Sequence, residues 1–236
     1  MRLEWLMNVK SPIILAIDTA DIARAHALIE ATADSVGVFK FGLEFYLRNG
    51  ISTMLDITSR YPGIQIFLDL KLHDIPNTVA GACESVREIA PRFLTVHASG
   101  GHAMIERASQ TLPATEITAV TVLTSLNQGS LEAMGIDSKI AELCLTQSKR
   151  AVEAGARAIV SSPHEVAAIR AGVGEGVTLI TPGVRPEGAS SDDQERVMTP
   201  RQAIESGATF VVIGRPISGA TDPGRAAHSI LESIIA

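Results

Sequence analysis

Aromatic residues make up only 4% of the chain, one Trp, two Tyr and six Phe, so any large core must be built from Ile, Val, Leu and Ala. Cysteine is scarcer still. Cys83 and Cys144 stand far apart in helix-like segments and outside any C-x-x-C or zinc spacing, so buried reduced thiols are expected, and with them a reducing compartment. There is no run of Lys and Arg, and the formal net charge is −6, which argues against nucleic acid or an anionic membrane surface as the main partner. No segment approaches the apolar length of a membrane span. Residues 1–10 lack the long apolar stretch and small-residue cleavage site of a signal peptide, so a cytoplasmic location is expected. Also missing are H-E-x-x-H, a P-loop, G-x-S-x-G and any paired His/Cys cluster, so neither a metal nor a cofactor is implied.

What the 236 residues do contain is a regular alternation of short β-rich runs and amphipathic helical stretches. Strands are expected over 13–18, 36–41, 64–70, 93–97, 117–123, 158–161, 178–181 and 210–213. Helices are expected between them, among them 23–33, 43–60, 76–90, one long helix ending near Gly155, 164–171, 200–206 and 223–235. Strands that alternate with helices require a parallel sheet, because each crossover must lie on a face of that sheet. Eight such units in one domain of this length predict an α/β fold, a single closed (β/α)8 TIM barrel, over residues 11–236, with residues 1–10 (Trp5 among them) as an appended N-terminal arm. An open doubly wound sheet is disfavoured because the first turn, Asp18-Thr19-Ala20, has no glycine. Residues 182–200 show neither period and are expected to form a loop over the site.

A parallel barrel carries its site at the C-terminal ends of the strands. Polar residues collect there: Asp18, Lys40, Asp69 with Lys71, His97, Thr124 with Ser125, Ser161 with Ser162, Arg185 and Arg215. On the third strand, period two sends Asp69 and Lys71 to the same side, about 7 Å apart along the strand. Burying both at the barrel mouth requires further charges to pair with them, and Lys40 and Asp74 are the natural partners. The plainer alternative, a solvated charged loop over 69–74, stays open on this segment alone. The apolar run 210–213 ends in Gly214-Arg215-Pro216, a candidate anion site in which glycine permits close backbone approach and arginine adds a charge-assisted contact. Arg185 and Gln194 precede that strand and could close over the same anion, although a surface ion pair and solvated loop polarity explain them equally well. His73 and His102 have no metal-ligand spacing, and His97 is expected to fill a barrel layer.

These residues carry a family resemblance. Phe67-Leu68-Asp69-Leu70-Lys71-Leu72-His73-Asp74-Ile75-Pro76-Asn77-Thr78 resembles the signature of the orotidine 5′-monophosphate decarboxylases. Ala16-Ile17-Asp18, Phe39-Lys40-Phe41-Gly42, Thr181-Pro182-Gly183-Val184-Arg185-Pro186 and Val212-Ile213-Gly214-Arg215-Pro216-Ile217, followed by Asp222-Pro223, match in the same order. The likeness covers about residues 11–236 and implies a metal-free decarboxylase of de novo pyrimidine biosynthesis. In it, Lys40, Asp69, Lys71 and Asp74 form a charge array with Lys71 as general acid. Asp18 binds the ribose, Thr124 and Ser125 hold the pyrimidine, and Arg185, Gln194, Gly214 and Arg215 hold the phosphate. Ile75 and Pro182 also belong to the substrate-binding set. The resemblance further implies a homodimer in which Asp74 and Thr78 reach the site of the other subunit.

Two other readings compete. A Mg²⁺-dependent sugar-phosphate decarboxylase or synthase shares the D-x-K-x-x-D strand, but it is expected to need a further carboxylate near that strand, where this chain has Phe67. A catalytically silent nucleotide-binding barrel would have no use for buried Lys/Asp charges that destabilise it.

Overall fold

A computed structural model of the chain describes residues 11–186 and 198–235. Residues 1–10, expected as an arm, lie outside the described residues, as does 187–197. The apolar strand runs become β1 (Ile13–Ile17), β2 (Val38–Gly42), β3 (Ile66–Leu72), β4 (Phe93–His97), β5 (Glu116–Val120), β6 (Ala158–Val160), β7 (Thr178–Thr181) and β8 (Phe210–Ile213). All pair in parallel in sequence order, and β8 closes back on β1 through Ile13 beside Val211, Ile14 beside Val212 and Leu15 beside Ile213. The result is a single (β/α)8 barrel.

Closure explains why the strands read as continuous apolar runs: both faces are covered. Ile13, Leu15 and Ile17 pack outward with the helix residues Ala25, Leu28 and Ile29. The residues between them in register face inward, where Ile14, Val38, Phe67, Phe93, Ala158, Ile180 and Phe210 form a separate apolar floor. Phe93 is the hub of that floor, with edge-on ring contacts to Phe67 at 5.6 Å and Phe210 at 5.7 Å. One step of two residues along each strand lifts the inward face from this floor to Lys40, Asp69, Thr95, Val160, Pro182 and Val212. The polar members of this layer, Lys40, Asp69 and Thr95, stand together on β2, β3 and β4, while Val160, Pro182 and Val212 keep the other side apolar.

The helices are α1 (Ile22–Thr32), α2 (Leu43–Arg60), α3 (Pro76–Ser85), α4 (His102–Thr111), α5 (Gln128–Ala133), α6 (Ile140–Glu153), α7 (Val166–Val173), α8 (Pro200–Glu205), α9 (Arg215–Ser218) and α10 (Pro223–Ile235). Their starts follow local chemistry. Asp21 caps α1 by accepting from the Ala23 and Arg24 amides, and Thr199 with Gln202 forms a capping box on α8 ahead of Pro200. Three expectations are corrected. The helix expected over 76–90 stops at Ser85 and continues as a 3-10 turn, Arg87–Ile89, closed by Ala90 at φ 49°. The long helix before Gly155 is two: α5 opens on the Asn127 capping box, and Gly135 turns the chain at φ 77° before α6 begins at Ile140. The third strand runs over Ile66–Leu72 rather than 64–70. None of the described helices is long and apolar enough to cross a membrane.

Candidate active site

The inward faces open at the C-terminal end of the barrel into a cavity of about 330 Å³. Of the residues picked out from sequence, Asp18, Lys40, Asp69, Lys71, Thr124, Pro182, Arg185, Gly214 and Arg215 line it, with Ser161 and Ser162 from the sixth strand's end. Phe67, Val120, Val160 and Val212 make its apolar walls.

Asp69 is the electrostatic centre. One carboxylate oxygen receives the Lys71 Nζ at 2.8 Å and the other faces the Lys40 Nζ at 3.4 Å. Lys40 also approaches Asp18 Oδ1 at 3.5 Å, so an unbroken chain of opposite charges runs from Asp18 to Lys71. Burial pushes the Asp69 carboxyl up, but the two ammonium groups and the hydrogen bonds from Lys71 and Thr95 outweigh it. Together they hold the carboxyl below its ordinary range. The buried carboxylate is thus ionised at neutral pH because two cations share it. Burial also lowers the pKa of His97, reinforced by electrostatic coupling to His73 and to the Lys71 ammonium; its ring lies 5.3 Å from that of His73.

The backbone here departs from a plain strand. The β3–β4 ladder is regular through Leu68 opposite Leu94, then resumes at Leu72 opposite Val96. Three residues, Asp69 to Lys71, therefore face the single residue Thr95, and Lys71 takes up the difference with φ 48°. That left-handed conformation costs a non-glycine residue about 1–2 kcal/mol. Sequence reasoning missed Thr95. Period two from Phe93 would have placed its hydroxyl on the inward face, but nothing in the sequence marks the bulge it serves.

Other expected residues stand elsewhere. Asp74 does not line this chain's cavity; exposed ahead of α3, its Oδ1 accepts the Ile75 amide at 2.6 Å. The strand turns into α3 there, and Ile75 and Thr78 are exposed beside Asp74 and likewise outside the lining. Ser125 also lies outside the lining, while its neighbour Thr124 is within it. Gln194 falls outside the described residues. Among the described residues, the Arg185 amide donates to the Met198 carbonyl at 3.1 Å.

Gly214 ends the eighth strand beside Asp18, and a Cβ there would lie 3.3 Å from Asp18 Oδ2. A side chain at 214 would crowd that carboxylate and narrow the passage to the Gly214–Arg215 backbone. Among the described residues, no group of three His, Cys, Asp or Glu side chains could hold a metal ion.

The profile of the orotidine 5′-phosphate decarboxylase / HUMPS family matches residues 11–230. The chain belongs to that family. The decarboxylase of this name from Thermobifida fusca (strain YX) is 50% identical over 220 residues, covering 93% of this chain and 94% of that protein. Its counterpart from Moorella thermoacetica is 42% identical over 238 residues, covering 97% of this chain and 94% of the other. Among solved structures, the orotidine 5′-phosphate decarboxylase of Lactobacillus acidophilus superposes with a TM-score of 0.84 at 33% identity, covering 95% of this chain and 99% of that one. This protein's cavity joins the charged chain from Asp18 to Lys71 with two further cations, Arg185 and Arg215.

Proposed function

We propose that the chain is a carboxy-lyase that converts orotidine 5′-monophosphate to uridine 5′-monophosphate and CO2; its relatives carry the name orotidine 5′-phosphate decarboxylase. The observation that carries the reading is the contact chain Lys40–Asp69–Lys71 in a cavity also lined by Arg185 and Arg215. A nucleotide with its phosphate at the Arg185, Gly214 and Arg215 side would present its pyrimidine C6 carboxylate to Asp69 and Lys71. Pro182 and Thr124 line the space between and would hold the base, with Ser125 and Gln194 completing that set. Asp18, at the cavity edge and against Lys40, would take the ribose hydroxyls.

Breaking the C6–CO2 bond leaves an electron pair in an sp² orbital at C6, with no adjacent carbonyl to delocalise it. Stabilisation must come from fixed charge where that pair develops. The Lys71 ammonium supplies it and then donates its proton to C6, leaving a neutral amine that regains a proton from water. Asp69 crowds the substrate carboxylate as a like charge and is itself held by Lys40. Phosphate contacts act remotely, spending binding energy on orientation and on excluding water.

The same reading makes the active unit a homodimer. Asp74, Ile75 and Thr78 are exposed just before and within the first turn of α3, where a second copy could receive them in its own site. The buried free thiols Cys83 and Cys144 suit the reducing cytoplasm. The test is the loss of pyrimidine absorbance on mixing with orotidine 5′-monophosphate, run with and without EDTA. Equal turnover in both is expected; no loss of absorbance would overturn the reading.

A further inference from the structure

We propose that Thr95 is a positioning residue, whose hydroxyl holds the bulged β3 backbone and the Asp69 carboxylate together so that the Lys71 ammonium meets the substrate at a fixed point. This rests on the reading of Lys71 as the proton donor. Thr95 is fully buried on β4, in the inward layer above Phe93. Its Oγ1 accepts the Lys71 amide at 2.8 Å and donates to Asp69 Oδ1 at 3.1 Å, the same oxygen that receives Lys71 Nζ at 2.8 Å.

The bulge makes this hydroxyl necessary. With three β3 residues facing one on β4, the Lys71 amide has lost its ladder partner, and a buried N–H must find another acceptor. The Thr95 side chain is that acceptor. A hydroxyl can accept and donate at once, so the same atom that satisfies the amide also aims a proton at Asp69. The backbone and side chain of Lys71 are thus tied into one small ring: amide to Thr95, Thr95 to Asp69, Asp69 to ammonium. Lys71 has a left-handed φ of 48°, which its neighbours must impose, and Thr95 is the neighbour bonded at that peptide. The mechanism as drawn from the charges alone uses no group on β4.

Thr95→Val keeps the shape and removes the hydroxyl; Thr95→Ser keeps the hydroxyl. For Thr95→Val we expect kcat to fall roughly 30- to 100-fold, as for a misplaced reacting group, with KM and uridine monophosphate affinity within about threefold of the parent. The acid limb of kcat should move to higher pH, because one of the groups favouring ionised Asp69 is gone. Thr95→Ser should stay within about threefold in kcat with an unmoved limb. A Thr95→Val kcat within about twofold of the parent, or equal losses in the Val and Ser variants, overturns the proposal. Should Thr95→Val fail to fold, Thr95→Cys replaces it, close to serine in shape but with only a weak donor, and must lose kcat while Ser does not. A parent without decarboxylase activity would sink the functional reading instead. A crystal structure of the variant then decides the positioning claim separately: Lys71 must leave positive φ and its ammonium must leave Asp69.

Discussion

The two ends of the barrel both carry charge, and they handle it in opposite ways. At the N-terminal end Arg92, just before β4, meets Glu116, the first residue of β5, at 3.2 Å and Gln65 at 2.5 Å. Thr178 donates to the other Glu116 oxygen at 2.8 Å, and the guanidinium lies 4.7 Å from the Phe93 ring centre and 5.0 Å from that of Phe210. One cation meets one anion, neutral groups take the remaining positions, and two rings form the seat. That end is a plug. At the mouth, by contrast, the described lining brings together Lys40, Lys71, Arg185 and Arg215 against only Asp18 and Asp69. The excess of positive charge suits an anionic ligand, and the strained Lys71 sits within it. A barrel can therefore bury charge at both ends, and only the unbalanced end is built to do chemistry.

Lys71→Ala should break the mouth most severely. Losing both the stabilising charge and the proton donor should cost at least about 10⁴-fold in kcat, while uridine monophosphate remains bound in a calorimetric titration. Near-normal turnover would remove Lys71 from the mechanism. Arg215→Ala should come next, with kcat/KM down roughly 10²- to 10³-fold and partly restored by added guanidinium. An unchanged kcat/KM would place the phosphate elsewhere.

Acidification probes the same end reversibly. The Asp69 carboxyl is held below the ordinary carboxylate range, so its ionised form persists as pH falls through the range where unfolded carboxylates protonate. Activity should then survive to the lower, folded-state value and fall about tenfold per unit below it, for one required ionisation. The sign for stability is the same. A depressed carboxylate contributes fully above its unfolded value, and the contribution disappears as pH drops through the folded one. An acid limb above the ordinary carboxylate range would mean that some other group titrates.

How much of this contrast was legible in the sequence depends on which physical signal each part leaves. The strands were legible because burial on both faces demands apolar runs, and the mouth because Asp18, Lys40, Asp69 and Arg215 fall in the last two residues of the expected runs or just beyond them. Period two put Asp69 and Lys71 on one face, and they do meet, but through a bulge and a left-handed residue that no composition marks. Thr95 was invisible for the same reason: a threonine inside a strand is ordinary until its neighbour loses a ladder bond. Asp74 was expected as a charge partner of the lysines from its closeness in sequence, and from the resemblance in the site of the other subunit; in this chain it lies outside the cavity lining, ahead of α3, where spacing alone does not record the turn of the chain. The plug was missed too, since Arg92, Glu116, Gln65 and Thr178 are scattered in sequence and meet only once the barrel closes.

The plug offers the mildest prediction, and it tests the comparison from the quiet side. Arg92→Met removes one partner and leaves Glu116, about a fifth exposed at 22%, without its cation. Stability should fall by about 2–3 kcal/mol, at or just below the range for a fully buried broken pair because both groups retain some solvent. The kcat should not change, since the floor of Phe67, Phe93 and Phe210 separates Arg92 from the mouth. Replacing both charges together, Arg92→Met with Glu116→Leu, removes the uncompensated charge as well as the pair. The cost should then shrink to within about 1 kcal/mol of the parent, because similar-sized apolar side chains substitute well for a buried ion pair. Chemical denaturation with the absorbance assay reads both quantities on the same samples. A double variant as unstable as the single one would show that the Thr178 and Gln65 contacts, rather than charge balance, hold that end closed. A fall in kcat in either variant would show that the two ends are coupled through the aromatic floor, and the division drawn between plug and mouth would fail.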